Sequence, residues 1–466
     1  MKKIILLLLI NYSYAGWAQS NTWSVKFSDA IISRYTPTIN NMTFKGWEYS
    51  NGIVLHGMEK VYTNTRTTSY LNYIKSYVDL YVQPNGSVTN LSNTLDKIQP
   101  AILCLFLYKE TGLEKYKTAA TNIKNYFLTG TTFKKTPDGG YWHKNNAQYT
   151  NIMMLDGIYM AHPFLAKYGK MFNDTQCLNT AIFQTLFIAG KTYNANTNLA
   201  KHAWDYSKTA AWCNPATGVS KEVWSRAMGW YMMGLVDILQ YTPYDYPRRN
   251  ELIDLLNNLC IGIKNTQDAS TGLWYQVMDK QDSVGNYLES SGSGMFVYAL
   301  KTAVDNEWID TSYLDVCRKG WDGLKTKITT HTDGLPRINS FAPAMSVQNN
   351  YTAYVTTPYT PVNCPATGSF ATQHPHGYCG VLMAATAMEF PITTYTFTGD
   401  GDWDNSGNWL NNLIPPNPLP AGSGIIIDPI ENGNCILNIS QQISPGATIK
   451  VLRNKTMFVE GFLQVQ

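Results

Sequence analysis

At 466 residues the chain has room for two domains or one large one, and its net charge of +3 is too small to argue for nucleic acid or an anionic surface as partner. Beyond the N-terminus no apolar run approaches the roughly 18 residues of a membrane span, so no membrane-spanning segment is expected. The N-terminus itself reads as a secretory signal, residues 1–18. Lys2 and Lys3 precede a short apolar core, Ile4 to Ile10, and Gly16-Trp17-Ala18 puts small residues at the cleavage positions. Cleavage after Ala18 would send the mature chain, starting near Gln19, out of the cytoplasm: secreted, periplasmic or on the surface of a bacterium.

From about residue 25 to 390, apolar residues recur at three- and four-residue spacing, broken by Gly, Pro and Asn loops. The spacing predicts helices near 26–36, 53–64, 67–83, 97–110, 113–128, 150–168, 175–192, 222–239, 248–264, 287–305, 310–326 and 376–389. Several alternate between an apolar member and a more polar partner, as in Pro100–Tyr108 followed by Glu114–Phe127. Twelve helices paired in this way can close into a double ring, an all-α toroid with an inner layer buried on both sides. Past about residue 391 the character changes. Ile425-Ile426-Ile427, Cys435-Ile436-Leu437, Thr448 to Val451 and Met457-Phe458-Val459 read as short strands between turns. Residues 391–466 are therefore read as a small β module, solenoid-like or incomplete, and a candidate for attachment to a cell surface.

Within the helical part the stretch Tyr149 to Ala161 stands out. Ile152, Met153, Tyr159 and Met160 lie three and four residues from Asp156, which puts a carboxyl inside an apolar helical stripe. A lone buried carboxyl either finds a partner or stays protonated, and a protonated one can act as a general acid. The alternative is a structural carboxyl bonded to a neighbouring helix. A second carboxyl, Asp96, sits at a helix start, where capping is the plain alternative. Two carboxyls facing each other are a familiar device for work on sugars. The 31 Tyr and 13 Trp lean the same way, because aromatic faces stack on sugar rings.

His202 and Arg226 form the next pair. Arg226 follows Glu222 by four residues, which allows a surface ion pair, yet Trp224 and Trp230 bracket it and suggest a partly enclosed site suited to a carboxylate. His143 and Lys144 follow Tyr141 and Trp142 and precede the central stretch; a solvated loop tip is the alternative. His374-Pro375-His376 has no third ligand at a recognisable spacing, and the acidic run Asp400, Asp402, Asp404 lacks the later Gly and Glu of a calcium loop. No phosphate loop, HExxH or G-x-S-x-G is present, so neither metal nor cofactor is expected. Of the eight cysteines, Cys104 and Cys260 read as buried thiols, while Cys364 and Cys379 flank a loop and could bridge in an oxidising compartment.

Five motifs in order resemble those of the unsaturated rhamnogalacturonyl hydrolases, glycoside hydrolase family 105, related to the unsaturated glucuronyl hydrolases of family 88. They are Gly140 to Lys144, Met153 to Met160, His202 to Asp205, Trp224 to Trp230 and Glu289 to Phe296, and the similarity spans roughly residues 25–390. The resemblance implies an (α/α)6 barrel and a catalytic domain over residues 19–390. It implies a substrate as well: a lyase-made oligosaccharide carrying a 4,5-unsaturated uronic acid at its non-reducing end. Hydration of the C4=C5 vinyl ether would release that sugar. By position Asp156 matches the general acid, and Asp96, in Leu95-Asp96-Lys97-Ile98-Gln99-Pro100, the second site carboxylate, whose charge would help keep the acid protonated. His202 and Arg226 match residues lining the uronate pocket, Trp142 and Trp224 would be stacking walls, and His143, Ser290 and Ser291 polar contacts. Thr150 and Ile152 replace a Pro and a Gln of the commoner motif. The loop from Phe341 to Gln373, with Tyr351, Tyr354 and Tyr359, has no matching family motif and could cover the pocket. The residues also leave open a polysaccharide lyase or an inverting glycosidase on the same toroid, and a non-catalytic carbohydrate-binding protein.

Overall fold

A computed structural model describes residues 22–42, 45–243, 245–355, 374–390, 394–410, 414–420, 422–430, 432–452 and 454–465. The expected signal segment, Cys364 and Tyr359 lie outside these residues. The described residues fall into two compact units, one within 22–59 and 68–388, the other within 60–67 and 389–465.

The first unit is helical, and the ends of two of its helices, Lys60–Thr65 and Glu389, count with the second unit. Its helices are α1 (Trp23–Arg34), α2 (Tyr49–Thr65), α3 (Thr68–Tyr81), α4 (Ala101–Thr111), α5 (Glu114–Leu128), α6 (Asp156–Phe172) and α7 (Thr175–Thr192). They continue as α8 (Ser225–Tyr241), α9 (Arg249–Asn265), α10 (Ser290–Asp305), α11 (Leu314–Lys325), α12 (Tyr351–Tyr354) and α13 (His374–Glu389). The alternation expected from the sequence is present. On α8 every side chain from Ser225 to Leu239 is buried, and on α10 every one from Ser290 to Val304. The partner α3 buries one stripe, Tyr70, Tyr73, Ile74, Tyr77, Val78 and Tyr81, at three- and four-residue steps. The doubly buried helices pack in succession, α4 on α6, α6 on α8, α8 on α10, and each meets its half-exposed neighbour: α5, α7, α9 and α11. Close approach rests on glycine. A methyl group added at Gly294 of α10 would stand 2.3 Å from the Gly380 carbonyl oxygen of α13, and one at Gly57 of α2 would stand 2.9 Å from Leu382 of α13.

Two expectations at helix starts are corrected. Residues 150–155 are not helical. Asn151 takes a left-handed φ of 60°, Ile152–Met154 form strand β1, and α6 begins only at Asp156. β1 pairs antiparallel with β2 (Ala203–Asp205), Met154 opposite Ala203, and buries Ile152, Met154 and Ala203 together. The helix expected from residue 97 begins at Ala101, because Leu95–Lys97 form a separate 3-10 turn capped by Thr94 before Pro100.

The second unit is built of β3 (Thr394–Phe397), β4 (Gly401–Asp402), β5 (Gly424–Ile427), β6 (Asn434–Leu437), β7 (Ser440–Ile443), β8 (Thr448–Val451), β9 (Thr456–Val459) and β10 (Phe462–Val465). All pair in parallel: β5 between β3 and β8, β6 between β4 and β9, β7 beside β10. Each pass of the chain thus stacks on the one before, around a core of Phe397, Trp403, Trp409, Ile425, Leu437 and Ile443. The acidic run is used locally: Asp400 accepts from the Asn434 backbone N–H and Asp404 from the Asn438 side chain. Among the described residues no helix is long and apolar enough to cross a membrane.

Candidate active site

The β1–β2 pairing brings the central carboxyl to its neighbour. The Leu155 N–H donates to the His202 carbonyl at 3.0 Å, so the residues just after β1 and just before β2 lie side by side. As a result His202 Nε2 stands 3.2 Å from Asp156 Oδ2. Both residues are buried, Asp156 as the first residue of α6, where the helix dipole favours a negative group. The apolar stripe anticipated around Asp156 is therefore only half there; its N-terminal side is strand and its close polar neighbour is an imidazole.

Asp96 reaches the same cavity from the 3-10 turn. Its carboxylate lies 3.2 Å from His143 Nε2 and 3.4 Å from Lys144 Nζ, and it accepts from Thr94 Oγ1 at 3.1 Å. Burial alone would raise its pKa, but His143, Lys144 and Thr94 together hold the carboxyl well below the usual carboxylate range. Thr94, not Asp96, caps the turn. Asp96 is thus a compensated charge, not the bare negative neighbour expected beside Asp156.

Arg226 is 1% exposed, which removes the surface-pair alternative; Glu222 pairs with Lys280 instead, at 2.7 Å. The Arg226 guanidinium lies over the Trp224 ring and donates to the carbonyls of Ala342 and Pro343 at 2.6 and 2.5 Å. Burial pulls its pKa below the ordinary value, against the pull of Glu289, Tyr49 and Asp156. Glu289 anchors this corner. It accepts from the backbone N–H groups of Ser291, Gly292 and Ala342 and from the hydroxyls of Ser225 and Ser291. One buried carboxylate thereby ties the starts of α8 and α10 to the loop that braces Arg226.

Asp96, His143, Asp156, Trp224 and Arg226 line one cavity of about 250 Å³. His202 sits behind Asp156, its ring 4.8 Å from that of Trp224. Trp142 is half-buried and not on the cavity wall. Nor are Ser290 and Ser291: their hydroxyls donate to the Asn339 carbonyl and to Glu289, so they serve the scaffold. The cavity also takes in Tyr49, Lys144, Tyr149, Trp230, Ser346 and His376, none nominated as site residues from the sequence. Traces of four were visible there: Trp230 bracketing Arg226, Lys144 beside His143, Tyr149 opening the central stretch, and His376 in the His-Pro-His run. His376 Nε2 lies 3.1 Å from the Tyr49 hydroxyl, and burial, with the Arg226 charge, holds its pKa well below the ordinary imidazole value despite Asp96. The loop after Phe341 does reach the site over its described part, through Ala344, Met345 and Ser346 on the cavity wall and Tyr354 against His202.

Two buried carboxyls, cationic groups and indole rings around one cavity are the equipment of a glycoside hydrolase. The family model for Glycosyl Hydrolase Family 88 matches residues 23–383, and the chain belongs to that family. It is 26% identical over 285 residues to the unsaturated rhamnogalacturonyl hydrolase YesR of Bacillus subtilis, covering 59% of this chain and 75% of that one. It is 39% identical over 144 residues to protein Atu3128 of Agrobacterium fabrum, covering 31% of this chain and 60% of that protein, so less than two thirds of that relative is spanned. Among solved structures, a family 105 glycoside hydrolase from C. acetobutylicum superposes with a TM-score of 0.71 at 30% identity, over 79% of this chain and 99% of that one.

Proposed function

We propose that the protein is a secreted hydrolase that removes a 4,5-unsaturated uronic acid from the non-reducing end of lyase-generated oligosaccharides of the rhamnogalacturonan or ulvan type. The supporting observation is that Asp156 and Asp96 share one cavity with Arg226, His143 and Trp224. In this reading Asp156 gives a proton to C4, positive charge develops at C5 and the ring oxygen, and water adds at C5. The water's proton returns to the Asp156 carboxylate, and the hemiketal opens to release the sugar. Asp96, charge-balanced by His143 and Lys144, would hold substrate hydroxyls or the incoming water. Two of the five Arg226 N–H groups are committed to carbonyls, which leaves donors for the uronate carboxylate. Trp224, 1% exposed and covered by the Arg226 guanidinium, would brace that cation and not serve as the stacking wall expected from the sequence. We read the six doubly buried helices, α2, α4, α6, α8, α10 and α13, as the inner layer of a closed (α/α)6 barrel, and residues 391–466 as a β-solenoid module that could attach the enzyme to a surface.

The test follows the ultraviolet absorbance of the C4=C5 bond on a panel of lyase-made fragments. Loss of absorbance with at least one fragment is expected. Asp156→Asn should lower the rate by about two to four orders of magnitude, the usual worth of a positioned acid or base, with an unchanged circular dichroism spectrum. A fully active Asp156→Asn would remove the acid from its role. Absorbance that grows on intact polysaccharide would identify a lyase instead.

A further inference from the structure

The loop after Phe341 places a hydroxyl where it can set the proton of His202. Tyr354 Oη lies 2.7 Å from His202 Nδ1 and accepts from the Gln348 backbone N–H at 3.2 Å. Tyr354 is wholly buried, and its own carbonyl is tied to the Gln276 side chain at 2.9 Å, so ring and backbone are both held. Burial keeps the phenol above its ordinary range, so it retains its proton. A phenol that already accepts from one N–H has a proton left to give, and His202 Nδ1 is the acceptor beside it. An imidazole that accepts at Nδ1 carries its hydrogen at Nε2 when neutral. That nitrogen lies 3.2 Å from Asp156 Oδ2, and both atoms are buried with no other hydrogen-bond partner.

We infer that Tyr354 is a positioning residue that locks His202 in the Nε2–H tautomer, so that His202 occupies Asp156 Oδ2 and leaves Oδ1 to carry the transferable proton. The opposite tautomer would set a lone pair against Oδ2 and draw the acid's proton inward, away from any bound sugar. The role given to Oδ1 rests on the reading of Asp156 as the acid; the tautomer does not.

The experiment uses the full chain labelled with ¹⁵N-histidine, without substrate, and His202 is assigned by the signal missing in His202→Gln. At neutral pH the His202 pattern should show a protonated Nε2 and an accepting Nδ1. In Tyr354→Phe that pattern should give way to exchange between tautomers. On the unsaturated fragments kcat should fall about five- to tenfold with KM unchanged, the worth of one neutral hydrogen bond. A wild-type His202 protonated at Nδ1 overturns the inference, as does a Tyr354→Phe enzyme with unchanged kcat. If Tyr354→Phe does not fold, the wild-type spectrum decides alone. That spectrum needs no substrate, so it decides the tautomer even if the wild-type enzyme leaves every fragment untouched, an outcome that would count against the proposed function instead.

Discussion

Asp96 and His162 show how burial can act with or against charge at a single residue. Asp96 is buried, yet His143 and Lys144 keep its folded carboxyl below the ordinary value of about 4. It therefore adds stability above that pH, and the contribution is lost as pH falls. His162 on α6 has no such partner; desolvation pulls it down to about 4, against the carbonyls of Gly157 and Ile158. A depressed folded pKa again means that the unfolded chain takes the proton first, so the contribution is present above about pH 6.5 and lost as pH falls toward 4. Between about pH 7 and about pH 5, His162 alone should cost the fold on the order of 2 kcal/mol. Urea unfolding at the two pH values should show the loss in the wild type and a flatter response in His162→Gln. Equal slopes would mean that His162 is not buried in the neutral form.

At the scale of elements, the close contact between α10 and α13 is the most demanding. Gly294→Ala puts a methyl against a backbone oxygen that cannot rotate away, and overpacking of that kind costs about 1–3 kcal/mol. Gly112, the left-handed residue that ends α4 at φ 67°, has open space around it, so Gly112→Ala should cost only about 1 kcal/mol of backbone strain. Thermal melts of the two variants should rank in that order; the reverse order would show that α10 and α13 have room to separate. The same elements show what could be read from sequence. Helix positions were legible because a buried stripe leaves a period in the chain, as on α3, and a wholly buried surface leaves a long apolar run, as on α8. Asp156, Asp96, Arg226 and Trp224 were legible because short motifs surround them. The start of α6 was not, since β1 exists only through its pairing with β2 about fifty residues on, and a run such as Ile-Met-Met fits either period.

Across the whole first unit, the cavity wall is assembled from segments far apart in the chain: Tyr49, Asp96, His143, Asp156, Arg226, Ser346 and His376. No local pattern marks Tyr49 or Tyr149 as neighbours of Asp96, and Ser290 and Ser291 matched a motif whose duty is to hold Glu289 and the loop. Apart from Ser346, which is exposed, and Tyr49, which is half-buried, these distant contributions share shelter. Arg226 is 1% exposed and His202 fully enclosed, and Asp96 and Asp156 are buried on the cavity wall. Mobile counter-ions act over about 10 Å in dilute buffer and about 3 Å in molar brine, but they must first reach the charges they shield. Turnover at saturating sugar should therefore hold within about twofold from 0.1 to 1 M sodium chloride, while exposed pairs such as Arg318 with Asp315 dissolve. A steep fall of kcat over that range would mean that electrolyte penetrates to the carboxyls of the cavity; a flat response would mark an enzyme indifferent to the salinity of the water it works in.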